Sequence, residues 1–157
     1  MKAIPFAALA LGAGLAGCAG APASDADRLV NIPLAASRVN AGESGWATLI
    51  GRGDKTDATV MASGVPPQVA RPIHLYTYIY RGGCGALSGS PAYALTGVVL
   101  ARSGGASGNM AAPYTVANTA DVRLSELRAS PHAIVVRSAP ADGDLSLFCG
   151  EIKARDS

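Results

Sequence analysis

Charge is scarce in this chain. Lys and Arg number 13 against 11 Asp and Glu, a formal net charge of +2 over 157 residues. No basic run or patch interrupts that thin distribution, which speaks against a nucleic-acid partner. Aromatic residues make up only 5%, so a core has to be assembled from small and β-branched side chains. Histidine occurs twice, as His74 and His132, without the short spacing of a metal-ligand motif. The glycine-rich stretch 103–109 is not followed by Gly-Lys-Ser/Thr, so it is not a phosphate-cradling loop. No serine, cysteine or lysine nucleophile is marked by its spacing. Asp121, Glu126, Asp142, Asp144 and Glu151 sit mostly beside turns, where solvation accounts for them. No internal repeat and no long segment of 3.6-residue period is present.

What the sequence does contain begins with an address. Lys2 precedes an apolar stretch, 3–15, that is too short to span a bilayer. It closes on Leu15-Ala16-Gly17-Cys18. This tetrapeptide resembles the lipobox of bacterial lipoproteins, which implies a signal peptide over 1–17 and acylation of Cys18. A plain secretory signal with an incidental cysteine is the competing reading. Each buried methylene of an acyl chain contributes about 0.8 kcal/mol, so several chains would anchor firmly. By the same resemblance, Ala19 in place of an aspartate favours the outer membrane over inner-membrane retention. The expected location is the cell envelope, facing the periplasm or the cell surface, with the membrane as partner through the lipid. Small and polar residues over 18–28 read as a flexible tether. The folded domain is expected over 29–157.

That domain reads as strands. An edge strand is expected over 29–39, because Pro33 argues against a central position. The runs 46–50 and 58–62 form a hairpin around Gly51-Arg52-Gly53-Asp54-Lys55. Its Arg52-Gly53-Asp54 triplet matches a cell-attachment motif, but a charged hairpin loop is the plainer explanation. Proline-rich 65–72 leads into a strand over 73–80, then a glycine- and serine-rich loop over 82–91. Further strands are expected over 92–100, 114–116, 132–137 and 145–152. A brief helical turn is expected over 124–128, with Ser125 a candidate cap. Short strands and frequent turns predict an all-β, antiparallel β-sandwich or flattened barrel.

Strand 73–80 carries the distinctive side chains. Alternation puts Ile73, Leu75, Thr77 and Ile79 on one face and His74, Tyr76, Tyr78 and Tyr80 on the other. The strand runs into Gly82-Gly83-Cys84. With Cys18 assigned to lipid, Cys84 and Cys149 remain as a pair in an oxidising compartment. A bridge between them would be worth about 4 kcal/mol by loop closure. Two separately buried thiols are the alternative.

Phe148-Cys149-Gly150-Glu151-Ile152 resembles the closing strand of copper/zinc superoxide dismutase-like proteins, Ala-Cys-Gly-x-Ile. Residues 133–142 are similar to that family's Val-His strand with its following aspartate. Tyr78-Ile79-Tyr80, before Gly82-Gly83-Cys84, stands where the family carries His-x-His. Leu124-Ser125-Glu126-Leu127 resembles the Leu-x-x-Leu of related extracellular domains, including the CHRD type. The resemblance implies a Greek-key β-sandwich with a loop-to-strand disulfide. It withholds the enzyme, since Tyr78, Tyr80 and Arg137 occupy the imidazole positions. A guanidinium is always protonated and cannot ligate a cation. Tyrosine, with a pKa near 10, is a poor ligand without a strong Lewis acid. No cofactor is therefore expected. Arg137 is expected to stack on the ring of Tyr78 or Tyr80, a contact worth about 0.5–2 kcal/mol.

Three functions follow as expectations. The first is a non-enzymatic envelope lipoprotein with a binding or structural role toward a protein or small molecule. Its contact surface would be Tyr76, Tyr78, Tyr80 and Arg137, unless a neighbouring loop covers that face. The second is a divergent dismutase or a copper or zinc carrier. It would use His74 and His132, taken to lie near the same end of the sandwich, with a carboxylate such as Asp142 or Glu151. The third is a ligand pocket between the sheets.

Overall fold

The computed structural model describes residues 28–95, 99–100, 102–103 and 113–153. The leader, Cys18 and the tether up to residue 27 lie outside these residues, as does 104–109 of the glycine-rich loop. Among the described residues, no helix is long and apolar enough to cross a membrane.

The elements are β1 (Leu29–Ala36), β2 (Gly45–Arg52), β3 (Lys55–Ala62), β4 (His74–Arg81), β5 (Tyr93–Ala94), β6 (Val99–Leu100), β7 (Arg102–Ser103), β8 (Tyr114–Ala120), α1 (Leu124–Leu127), β9 (His132–Ser138) and β10 (Ser146–Ile152). All pairings are antiparallel. The strand order is β5-β4-β9-β10-β1-β2-β3-β8-β7, with β6 also on β4. Since β6 lies on β4 and β7 lies on β8, two adjoining pieces of chain reach both ends of the path, and the sheet nearly closes on itself. The all-β antiparallel fold read from the sequence is the fold observed.

The first strand departs from expectation. β1 is not an edge strand. Residues Leu29 to Leu34 pair with β2, and Ala35 and Ala36 pair with β10, so it carries the chain from one face of the flattened barrel to the other. Pro33 is tolerated because the β10 ladder starts only at Ala35, and its missing N–H removes no bond there. Gly150 makes the crossing possible. A Cβ at that position would sit 2.7 Å from the Pro33 carbonyl oxygen and from methyl groups of Ile32 and Leu34.

Other elements differ mainly in extent. The β2–β3 hairpin continues to Arg52↔Lys55, leaving a two-residue turn, Gly53-Asp54, with Gly53 at φ +64°. A left-handed first turn residue suits the right-handed twist of the flanking strands. Within the strand expected over 92–100, β5 and β6 are the strand segments among the described residues, while 96–98 lie outside them; β8 extends to Ala120. The helical turn is present, but its N-cap is Arg123, without a side-chain cap bond. Ser125 lies inside the turn and does not cap it. Leu124 and Leu127 are buried, and α1 closes one end of the barrel against Gly51 of β2.

The core is mainly aliphatic, as the shortage of aromatics requires. Ile32, Leu49, Val60 and Val116 meet Leu75, Ile79, Ile134, Val136 and Phe148 across the interior, each at most 2% exposed. On β3 and β8 burial alternates strictly, so one face of each strand is left to solvent.

Candidate binding faces

The tyrosine face is assembled by register. β4 pairs with β9 as Tyr76↔Arg137, Tyr78↔Val135 and Tyr80↔Ala133. β10 adds Cys149 opposite Val135 and Glu151 opposite Ala133. Directly paired residues share a face. Tyr76, Tyr78, Tyr80, Val135, Arg137, Cys149 and Glu151 therefore form one outward surface.

Part of that surface is covered. Cys84 is bonded to Cys149 with a Cα–Cα distance of 5.9 Å. The loop after β4 has to pass over β9 to reach β10, because β9 lies between them. Ala133 and Val135 point outward, yet they are 0% and 1% exposed. The bridge and its loop account for this. The loop is pinned by Gly82 N–H to the Pro131 carbonyl (2.9 Å), Ser88 N–H to the Arg81 carbonyl (2.9 Å) and Cys84 N–H to Glu151 Oε1 (3.3 Å). Tyr80 is buried, while Tyr76 and Tyr78 are half-buried. The loop thus covers part of this face and leaves Tyr76 and Tyr78 partly open to solvent.

Arg137 is held in place, but not by a ring. Its Nε lies 2.8 Å from Asp144 Oδ1, its Nη2 donates to the Asp144 carbonyl at 2.7 Å, and its Nη1 donates to the Tyr80 hydroxyl at 3.4 Å. The expected stacking on Tyr78 or Tyr80 is replaced by a contact with the phenol oxygen. Tyr78 and Tyr80 meet edge to face at 6.4 Å, an arrangement favoured by ring quadrupoles. Burial, followed by the negative charge of Asp144, raises the Tyr78 phenol above its ordinary pKa of 10.0. At neutral pH it is a protonated hydroxyl and not a phenolate ligand. Asp144 was visible in the sequence only as a turn carboxylate. Nothing local marked it as the partner of Arg137, because its role depends on the left-handed backbone at φ +50° that folds it back.

The histidines are not brought together. β4 and β9 are antiparallel, and His132 pairs with Arg81 at the far end of β4 from His74. Seven residues of strand separate the two positions, roughly 23 Å at 3.3 Å per residue. Both begin strands, and in an antiparallel pair that places them at opposite ends. His132 is buried, and its Nδ1 lies 3.1 Å from the Leu127 carbonyl and 3.0 Å from the Ser130 carbonyl. Carbonyls only accept, so Nδ1 carries the hydrogen and ties α1 to β9. Asp142 accepts from the Ala70 N–H, and Glu151 from Cys84. Among the described residues, no group of three His, Cys, Asp or Glu side chains is placed to hold a metal ion. The donor set at the tyrosine face does not suit copper either, since it offers a guanidinium and a protonated phenol.

A second outward face lies on β1, β2, β3 and β8. Its rows are Pro33-Trp46-Met61-Thr115, Asn31-Thr48-Thr59-Ala117 and Leu29-Ile50-Asp57-Thr119. Trp46 is 45% exposed. A trough of about 290 Å³ is lined by Asp57, Thr59, Ala117, Asn118 and Thr119. Sequence reasoning passed over these residues. Trp46 was read only as the start of a strand, and Thr59 and Thr119 become neighbours through long-range pairing.

No family model, curated protein or solved structure matches the chain.

Proposed function

We propose that this chain is a cell-envelope lipoprotein, held through acylated Cys18 in the outer membrane. On this reading 1–17 is a cleaved signal peptide and 18–28 a tether. The domain beyond is a non-catalytic Greek-key sandwich of the superoxide dismutase-like kind, with a binding or structural role. The observation that carries the non-catalytic reading is the state of Arg137. A permanent cation occupies a position where the resemblance calls for a neutral imidazole, and Asp144 and the Tyr80 hydroxyl fix it there. A guanidinium has no acceptor lone pair to offer a metal ion. The loop-to-strand bridge Cys84–Cys149 supports the kinship. The exposed parts of Tyr76 and Tyr78 form the contact surface, since the bridge loop has claimed the rest.

Two measurements on the full chain test the reading. Metabolic labelling with a fatty acid is expected to tag the wild-type chain and to miss Cys18→Ser. Purified protein incubated with copper and zinc and then desalted is expected to retain neither stoichiometrically and to show no superoxide turnover. An unlabelled wild type removes the anchor from the proposal. Stoichiometric metal with turnover replaces the non-catalytic reading by that of a divergent dismutase.

A further inference from the structure

The trough between β3 and β8 lies on the face opposite the bridge loop. Thr59 and Ala117 are cross-strand partners, as are Asp57 and Thr119. The short side chain of Ala117 leaves a hollow beside Asp57 and the threonines. At about 290 Å³ it is at the lower limit of small-molecule sites, enough for one ring of a larger ligand.

The electrostatics select the ligand's charge. Asp57 is paired with Arg52 and accepts from Thr119 Oγ1 at 3.1 Å. Lys55 is paired with Asp121 at 2.8 Å. Asp57, the one charged residue lining the trough, thus has its counter-ion within the protein, and the other lining groups are hydroxyl, amide or apolar. A carboxylate offers about four lone-pair sites, so Asp57 retains acceptor capacity toward a ligand hydroxyl. An anionic ligand would meet the Asp57 carboxylate, and a cationic one would compete with Arg52.

The aromatic on the same face selects the ligand's shape. Trp46 is the single tryptophan of the chain. It lies on an outward row beside Pro33 and Met61 and adds little to the core. Thr59 is two residues along β3 from Met61, the partner of Trp46. Two residues span about 6.7 Å and one strand about 4.8 Å, so Trp46 stands roughly 8 Å from Thr59 across the face. A stacking platform and a hydroxyl-lined hollow set apart in this way suit two different rings of one extended chain. An indole face packs on the apolar side of a pyranose while its N–H remains available for a hydrogen bond.

We propose that the outer face of β1-β2-β3-β8 binds an uncharged oligosaccharide, with Trp46 stacking on one ring and the trough at Asp57, Thr59 and Thr119 receiving another. The proposal stands on this face alone and does not depend on the lipoprotein reading or on the tyrosine face.

The full chain, in a detergent without a sugar headgroup, is titrated with cellotetraose and with fully N-acetylated chitotetraose, both uncharged. Trp46, as the single tryptophan, reports directly by fluorescence, and calorimetry gives an independent readout. A saturable change with at least one of them, at concentrations up to about 10 mM, is expected. Thr59→Tyr fills the trough and is expected to weaken binding at least tenfold by fluorescence. Trp46→Ala is expected to do the same by calorimetry. Asp57→Asn, which keeps the side-chain shape, is expected to weaken it severalfold. Each variant is compared with wild type for melting temperature, and binding by a variant that melts normally is decisive. Four results overturn the proposal: no saturable change with either sugar; affinity unaltered by both Thr59→Tyr and Trp46→Ala; equal affinity for a polygalacturonate oligomer; or a Trp46 signal that follows protein concentration together with dimer sedimentation, which makes the face a self-association surface.

Discussion

The carboxylate and the main-chain carbonyl of Asp144 both converge on the guanidinium of Arg137, at 2.8 Å from Nε and 2.7 Å from Nη2. This residue bridges two elements. It sits in the turn between β9 and β10, while the guanidinium reaches over to the Tyr80 hydroxyl on β4. Ion pairs at this degree of exposure contribute at most about 1 kcal/mol. The value of the contact lies in neutralising a cation on a partly buried face.

Asp144→Asn separates charge from backbone shape, because asparagine tolerates the left-handed conformation as aspartate does. The carbonyl contact is retained and the carboxylate charge is lost. A modest destabilisation of about 0.5–1 kcal/mol is expected. Arg137→Leu is expected to cost a similar amount and to abolish any further effect of Asp144→Asn. A double-mutant cycle by urea denaturation checks this. Additive losses would show that the two residues act separately.

Gly150→Ala tests the crossing of β1 over β10. The added methyl would meet the Pro33 carbonyl oxygen at 2.7 Å, and backbone cannot swing aside as a side chain can. Overpacking of this kind costs about 1–3 kcal/mol. Gly53 provides a control. Nothing lies within 4 Å of its would-be Cβ, and only its φ of +64° resists substitution. Thermal melts should rank Gly150→Ala as the more damaging of the two. The reverse order would mean that β1 can lift away from β10.

Cys84→Ser removes the covalent hold on the loop that covers Ala133 and Val135. The bridge closes a sequence separation of 65, which by loop-closure entropy stabilises the fold by about 4 kcal/mol. The variant should melt several degrees lower and expose an alkylatable thiol at Cys149. Amide exchange at Ala133 and Val135 should quicken more than at Ile134, which faces the core. Uniform acceleration along β9 would assign the bridge a purely global effect.

The parts of this structure legible in the sequence are those decided by local pattern. Alternation over 73–80 gave the two faces of β4, and the glycine-bearing stretch 51–55 gave the hairpin. Cysteine parity after Cys18 is set aside gave the bridge. Apart from the Ser125 cap, the misreadings share a cause, since each needed the identity of a neighbour. Pro33 suggests an edge until it is known that β1 changes partners just beyond it. His74 and His132 appear equivalent as strand starts until the antiparallel register separates them. Arg137 and a tyrosine were correctly placed on one face, but the guanidinium's principal partner lay in a turn whose left-handed backbone no local rule assigns to Asp144. The row that joins Trp46, Met61 and Thr115 spans three strands and becomes apparent only once register is fixed.

Tyr78 links the tyrosine face to alkaline stability. Its phenol is raised above 10.0 in the folded protein, by burial first and then by Asp144. The unfolded chain therefore releases this proton at lower pH than the native protein does. Above the unfolded pKa, N holds more protons than U, so ν_U − ν_N is negative and stability falls with rising pH. The contribution is complete below about pH 10 and is lost as pH climbs through the folded pKa. Urea denaturation of wild type and Tyr78→Phe from neutral pH upward isolates it, because every other tyrosine is common to both. The wild-type curve should decline more steeply above pH 10, and the difference should shrink in Asp144→Asn as the second cause is removed. Parallel curves would mean that the Tyr78 hydroxyl is solvated and that the half-buried face does not hold its phenol in the neutral form.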